Sequence, residues 1–319
     1  MVVVHPSRLL LLAALLLPLP VLADDGLALL QHIAQGSRQL TYSGTFVYRS
    51  GGKVDTSRIA HSLIDGMEME RIEALDGSPR EVVRAGGEVK CFFPEEKLVI
   101  IENRASGRGF PAMLPAGLGS LPEHYAIRSG GQGRVAGLKS RAVLLEPRDD
   151  LRYGHEFWMD AVSGLLLKAN LVGARGETLE SFVFTQVKIG GPLEHGALKP
   201  RFDNEQVRVQ QVRTTELKPD DMGWIFRTQL PGFRKVVSMK RQAAPEKQES
   251  LHVVFSDGLA SISVFIEPGG AGGEAETVAT VGPVNVYRRQ LGEHRVVVMG
   301  EVPALAVRRL GDGIERRRK

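Results

Sequence analysis

From residue 42 to residue 103, apolar and polar positions alternate in short runs, each closed by turn residues. "YSGTFVYRS" runs to Gly51-Gly52, "TSRIAHSLI" to Asp65-Gly66 and "MEMERIEAL" to Asp76-Gly77. "REVVRA" turns at Gly86-Gly87 into "EVKCFF", and "KLVIIE" follows. A period of two punctuated by Asp-Gly and Gly-Gly predicts strands joined by tight hairpins. The short, regular spacing predicts that consecutive strands pair antiparallel in a meander. Ahead of them, "DDGLALLQHIAQGSRQL" carries a helical period: Leu27, Leu30 and Ile33/Ala34 share one face, and Asp24 or Asp25 is placed to cap it.

The pattern breaks over residues 104–137, where Gly and Pro are frequent but apolar residues persist at Phe110, Met113, Leu114, Leu118 and Leu121. A long loop in a compact domain is usually functional or partly helical, so short helical turns packed across the sheet are expected here. Strands resume with "KSRAVLLEP", "YGHEFWM", "LLLKANLV" and "ETLESFVFTQVKI". Residues 192–218 are polar with few apolar anchors and suit a connector. A second unit holds "LPGFR", "LHVVFSDGLASISVFIEP" and "VNVYRRQLGEHRVVVMGEVP", and ends in "ALAVRRLGDGI", a short helix closed by Gly311 or Gly313. The expected division is a signal peptide (1–23), a first domain (24–200), a linker (201–218) and a smaller second domain (219–319).

His5, Arg8, the apolar run Leu9–Leu17 and Val21-Leu22-Ala23 before Asp24-Asp25 read as a secretory signal, too short for a membrane span. An exported, soluble mature protein is expected. Its one cysteine, Cys91, lies far from the cleavage site and offers no lipid attachment there; a buried thiol is the expectation, a reactive one the alternative. The charge of +4 falls to +3 without Arg8. Residues 219–319 hold 15 Lys/Arg against 12 Asp/Glu, and Arg316-Arg317-Arg318-Lys319 end the chain. The basicity is therefore a tail, and nucleic acid, which calls for a basic face on the folded body, is not an expected partner.

"GHEFWMDAVSGLLLKANL" has the polar residues of an active site. Alternation, however, puts Tyr153, His155, Phe157 and Met159 on one face of a strand and Arg152, Glu156 and Trp158 on the other. The zinc-protease pattern His-Glu-x-x-His fails because position 159 is methionine and the pattern needs a helix. Asp160 and Ser163 suit a turn whose Gly164 tolerates positive φ. "GGAGGE" lacks the Lys-Ser/Thr of a phosphate loop, and the histidines show no ligand spacing. Adjacent carboxylates such as Asp149-Asp150 read as solvated surface. No catalytic residue, metal or cofactor is expected.

"LTYSGTFVYRSGG", "DGSPREVVRAGGEV", "RYGHEFWMDAVSGLLLKANLV", "GETLESFVFTQV", "LPGF" and "FSDGLASISVFIEP" occur in that order across the mature chain. In order and spacing they resemble the MucB/RseB family, periplasmic negative regulators of an envelope-stress sigma factor. The resemblance implies an α+β protein: an unclosed antiparallel β-barrel with helices across its opening, similar to the LolA/LolB lipoprotein carriers, and a smaller C-terminal α+β domain. It also implies an anti-sigma partner of the RseA/MucA type, shielded from an initiating protease, with lipid or lipopolysaccharide as the releasing signal. Homo-oligomers are compatible with it. The terminal Arg cluster has no counterpart in the resemblance.

On that reading the lipid-lining candidates are Phe46, Tyr48, Phe93, Phe157, Met159, Leu165, Leu167, Phe182 and Phe184, with Phe110, Met113 and Leu114 at an adaptable entrance. The alternative for each is core filling. Partner candidates are Phe255, Leu259, Phe265, Arg288 and Arg289, where a strand edge could pair with an extended peptide. Two competitors stand beside the regulator: a lipid or lipoprotein carrier, against which the second domain argues, and an exported hydrolase, motivated only by scattered His, Asp and Ser.

Overall fold

The computed structural model describes residues 25–103, 114, 117–202, 206–242, 248–269 and 275–317. The signal segment and the entrance candidates Phe110 and Met113 lie outside these residues.

Helix α1 (Asp25–Gln39) precedes six strands, β1 (Tyr42–Ser50), β2 (Lys53–Ile64), β3 (Met67–Ala74), β4 (Glu81–Ala85), β5 (Glu88–Phe93) and β6 (Leu98–Asn103). One helical turn, α2 (Leu121–His124), leads into β7 (Tyr125–Val135), β8 (Leu138–Pro147), β9 (Gly154–Asp160), β10 (Leu166–Val172) and β11 (Thr178–Ile189). Each run is an antiparallel meander, as the hairpin signals require, and β1 pairs with β11 to join them. The sheet curls into a barrel that stays unclosed. Helix α1 lies inside the curl against β2, β7, β8 and β10. Leu30 and Ile33 are fully buried there with Leu114, Leu118 and Leu121, each burial contributing about 1.5–3 kcal/mol.

Two expectations are corrected. Residues 125–135, read as part of a Gly/Pro-rich interruption, form the long strand β7. Its glycines mark close approach rather than a loop: a Cβ at Gly130 would stand 2.7 Å from that of Ala142, and one at Gly133 would strike the Trp158 ring. The polar connector also contains a strand, β12 (Arg208–Glu216). Its first half pairs parallel with β6, from Arg208↔Leu98 to Val212↔Glu102.

The second half of β12, Arg213–Glu216, pairs antiparallel with β14 (Arg234–Gln242) and so begins a second sheet. Between them lies the short β13 (Trp224–Phe226), which pairs with the final β20 (Ile314–Arg316). The second sheet continues with β15 (Ser250–Ser256), β16 (Ser261–Pro268), β19 (His294–Gly300), β18 (Val284–Leu291) and β17 (Thr277–Val281). Helix α3 (Ala304–Asp312) covers one face, burying Ala306, Val307 and Leu310 on Val296, Val298 and Tyr287. Cys91, expected buried, is half-buried on β5.

Arg152 ties the two sheets together. Expected on the strand face of Glu156 and Trp158, it precedes β9 and its side chain is fully buried. Both oxygens of Asp149 accept from it at 2.9 Å, which removes Asp149 from the solvated surface expected for it. Nη1 donates to Asp257 of the β15–β16 turn at 2.5 Å and Nη2 to the Pro231 carbonyl at 2.6 Å. The Tyr125 hydroxyl donates to the same Asp257 oxygen at 3.0 Å. The guanidinium also lies over the Phe233 ring, 4.9 Å from its centre. Gly232, at φ +78°, makes this turn possible, since a Cβ there would run into the His124 ring.

Removing Arg152 leaves Asp257 buried without its counter-charge. Arg152→Ala should therefore cost about 3–5 kcal/mol, read from urea unfolding of the mature chain. A cost below about 1 kcal/mol, the level of an exposed pair, would show that the pair does not hold the sheets together.

Candidate functional site

The segment that looked like an active site is a hairpin, one end of which borders the candidate site. Asp160 Oδ2 accepts from the Ser163 amide at 2.8 Å and its hydroxyl at 2.7 Å, and Gly164 has φ +76°. These residues are spent on the turn. At the other end His155, Phe157 and Met159 face the barrel interior while Glu156 and Trp158 face outward.

His155 lies where the second sheet meets the barrel mouth. A cavity of about 480 Å³ opens between them. The barrel contributes His155, Phe157, Ala169, Leu171, Glu180 and Phe182, and the second sheet Leu259, Ser263, Phe265, Met299 and Glu301. Burial pushes the His155 imidazole down to about 4, so it is neutral, and its Nε2 has no hydrogen-bond partner among the described residues. Glu180 is 8% exposed; Tyr48 and Ser50 hydrogen-bond it, but its Oε2 has no partner. Burial raises its carboxyl above the usual range. Burial, followed by the nearby Glu180, pushes Glu301 up to about 7.

A second depression of about 990 Å³ runs over the outer side of β10 and β11. Trp158 forms its floor, and Lys168 Nζ stands 5.6 Å from that ring's centre. Arg49, Lys53 and Arg134 line its sides from the β1–β2 and β7–β8 hairpins. Glu180 and its strand border both spaces. The β1–β2 turn also touches the second sheet, with Gly51 packed on Gly282. Among the described residues no cluster of three or more His, Cys, Asp or Glu could hold a metal, and no helix is long and apolar enough to cross a membrane.

Residues 25–202 match the family model of the MucB/RseB N-terminal domain, and residues 218–315 that of the C-terminal domain. The chain belongs to the MucB/RseB family. It is 33% identical over 309 residues to the sigma factor AlgU regulatory protein MucB of Pseudomonas aeruginosa, covering 93% of each. It is 27% identical to the sigma-E factor regulatory protein RseB of Salmonella typhimurium, covering 90% of each. A crystal structure of MucB in complex with MucA(peri) superposes with a TM-score of 0.73 at 32% identity, over 92% of this chain and all of that one.

In this MucB/RseB chain the lipid candidates fall into three places. Phe46, Met159, Leu165, Leu167 and Phe184 are buried in the barrel core with Leu114, and Tyr48 packs against it half-buried. Phe157 and Phe182 share that core but also face the cavity. Phe93 is half-buried on β5, four strands away from β1. The partner candidates divide as well. Leu259 and Phe265 line the cavity, and Arg288 is exposed beyond Phe265 on the same open face. Phe255 packs tilted against Phe226 on the α3 side, and Arg289 donates to the Ile314 carbonyl.

The cavity thus unites two candidates from each set. Glu180, Glu301 and the groove around Lys168 were not singled out from the sequence. Trp158 on the solvent face of its strand was the one available signal.

Glu301 holds its proton to a higher pH when folded than when unfolded. Its ionisation therefore costs stability progressively as pH rises from 4.5 to about 7. Glu301→Gln should melt higher than the parent by a margin that widens through that window and is constant below it. Thermal melts at a series of pH values check this, and a margin independent of pH would contradict it.

Proposed function

We propose that the protein is a periplasmic regulator that binds the periplasmic part of a membrane anti-sigma factor. On this reading it shields that partner from regulated proteolysis and releases it when lipid or lipopolysaccharide binds. Family membership supports the partner class, because a relative of this chain is solved in complex with MucA(peri). The division into an exported leader, a barrel domain near 24–200, a linker and a C-terminal domain belongs to the same proposal.

One observation carries the coupling. Strands β10 and β11 form a wall common to the basic groove and the inter-sheet cavity. The groove has the chemistry of a phosphorylated lipid headgroup site, with Arg49, Lys53, Arg134 and Lys168 around an aromatic floor. Residues of the cavity and of the open face beyond it, Leu259, Phe265 and Arg288, suit the partner. A lipid that shifts the shared wall or the Gly51 turn changes the fit of the partner. By linkage the partner weakens lipid by the same factor.

The test is a titration of the mature chain (24–319) with the periplasmic segment of the anti-sigma factor from its own genome, with and without lipopolysaccharide. Binding should weaken about 5- to 150-fold in lipid. Lys168→Ala with Arg134→Ala should abolish that weakening while leaving lipid-free affinity within about twofold. The unclosed barrel also suits a lipid carrier. Lipid transfer between vesicles by a chain that does not bind the segment would favour the carrier over the regulator.

A further inference from the structure

The inter-sheet cavity is apolar on its walls and one-sided in its polar chemistry. Among the described residues its ionisable lining groups are Glu180, Glu301 and His155, and no lysine or arginine lines it. Glu180 Oε2 and His155 Nε2 are buried without partners among the described residues, on residues each more than nine-tenths buried. The rest of the lining is mostly apolar, including Phe157, Leu171, Phe182, Leu259, Phe265 and Met299, with Asn170 and two serines as its other polar side chains. Natural interiors rarely leave such atoms unsatisfied, and two carboxyl groups facing one enclosed space repel each other once ionised. What is missing is a donor with positive charge.

We infer that this cavity receives a lysine or arginine side chain, carried on an apolar stretch of a bound polypeptide, whose charged end meets Glu180 and Glu301. Its volume lies within the range of pockets that hold small groups. Charge complementarity selects the head, and the apolar walls select the stem, since Lys and Arg bury their methylenes while pairing the charge.

The approach is also open. Phe265 passes from the cavity onto the uncovered face of the second sheet, where Val297 and Arg288 follow it and Phe265 stacks on His252 at 4.2 Å. An extended segment lying on that face can therefore turn one basic side chain inward. Filling the site supplies the counter-charge that both carboxyl groups lack, and it cross-links barrel and second sheet through the occupant. Chargeless relatives of such a side chain leave the carboxyl groups facing each other and gain only the apolar contacts. The inference rests on the reading of the protein as a polypeptide-binding regulator.

The experiment is a double-mutant cycle on the mature chain. Glu180→Gln and Glu301→Gln preserve shape and remove charge. Each basic residue of the anti-sigma periplasmic segment is replaced in turn by methionine. One replacement should lower affinity about tenfold or more against the parent protein, and change it little against Glu180→Gln/Glu301→Gln. Strictly additive losses for every basic position would overturn the proposal.

If the parent protein does not bind the segment at all, the regulator reading fails separately. Hexylammonium then decides the site. Protection of the parent against thermal unfolding that hexanoate does not give, and that Glu301→Gln abolishes, retains it. No protection, or protection equal in parent and variant, overturns it.

Discussion

The architecture depends on a buried ion pair. Arg152 and Asp257, both removed from water, sit on connections of different sheets and hold the sheets in one arrangement. Charges of this kind are costly to bury, and their attraction offsets the desolvation only when the remaining hydrogen-bonding capacity is filled. Here it is filled closely: Asp149 takes two guanidinium bonds, the Pro231 carbonyl another, and Asp257 Oδ1 accepts from the amides of Leu259 and Ala260. The apolar contacts on either side are reciprocal. Leu151, next to Arg152, packs into the core of the second sheet, and Leu259, two residues after Asp257, packs against the barrel core.

That pair also sets the position of the cavity. With the β15–β16 turn fixed at the barrel mouth, Leu259 and Phe265 come to face Phe157 and Phe182 across a space that neither sheet fills alone. His155 is adjacent to this contact, its ring 6.0 Å from that of Tyr125. Burial at this contact keeps the imidazole neutral and raises the carboxyl groups of Glu180 and Glu301, the latter to about 7. Of the residue types that suggested an enzyme, His155 lies at the joint between the two sheets, while Asp160 and Ser163 close a turn.

The hairpins were legible because their information is local. Alternation and Asp-Gly or Gly-Gly punctuation need only neighbours in the chain, and β1 and β5 occupy the residues their patterns mark. The helix α1 followed from its period for the same reason. The strand β7 was hidden because Gly130 and Gly133 resemble loop residues unless Ala142 and Trp158 are known to press on them. The strand β12 was hidden because its partners are far off in sequence and its pairing with β6 is parallel. Likewise Arg152 and Asp257 are 105 residues apart, and neither has a local pattern that announces the other. Of the candidate site, the aromatic residues were readable as inward-facing; the carboxyl groups that give the cavity its character were not.

The parallel pairing of β12 with β6 bears on how the chain is made. Residues 98–102 acquire their outer neighbour only from residues 208–212, about 110 positions later. On a chain that emerges N-terminus first, the barrel can complete its hairpins while β6 still presents a bare row of backbone donors and acceptors. Such an edge invites pairing with other chains. The arrival of β12 covers it, and because the same strand continues into the second sheet, the covering of that edge and the nucleation of the second sheet become a single late event.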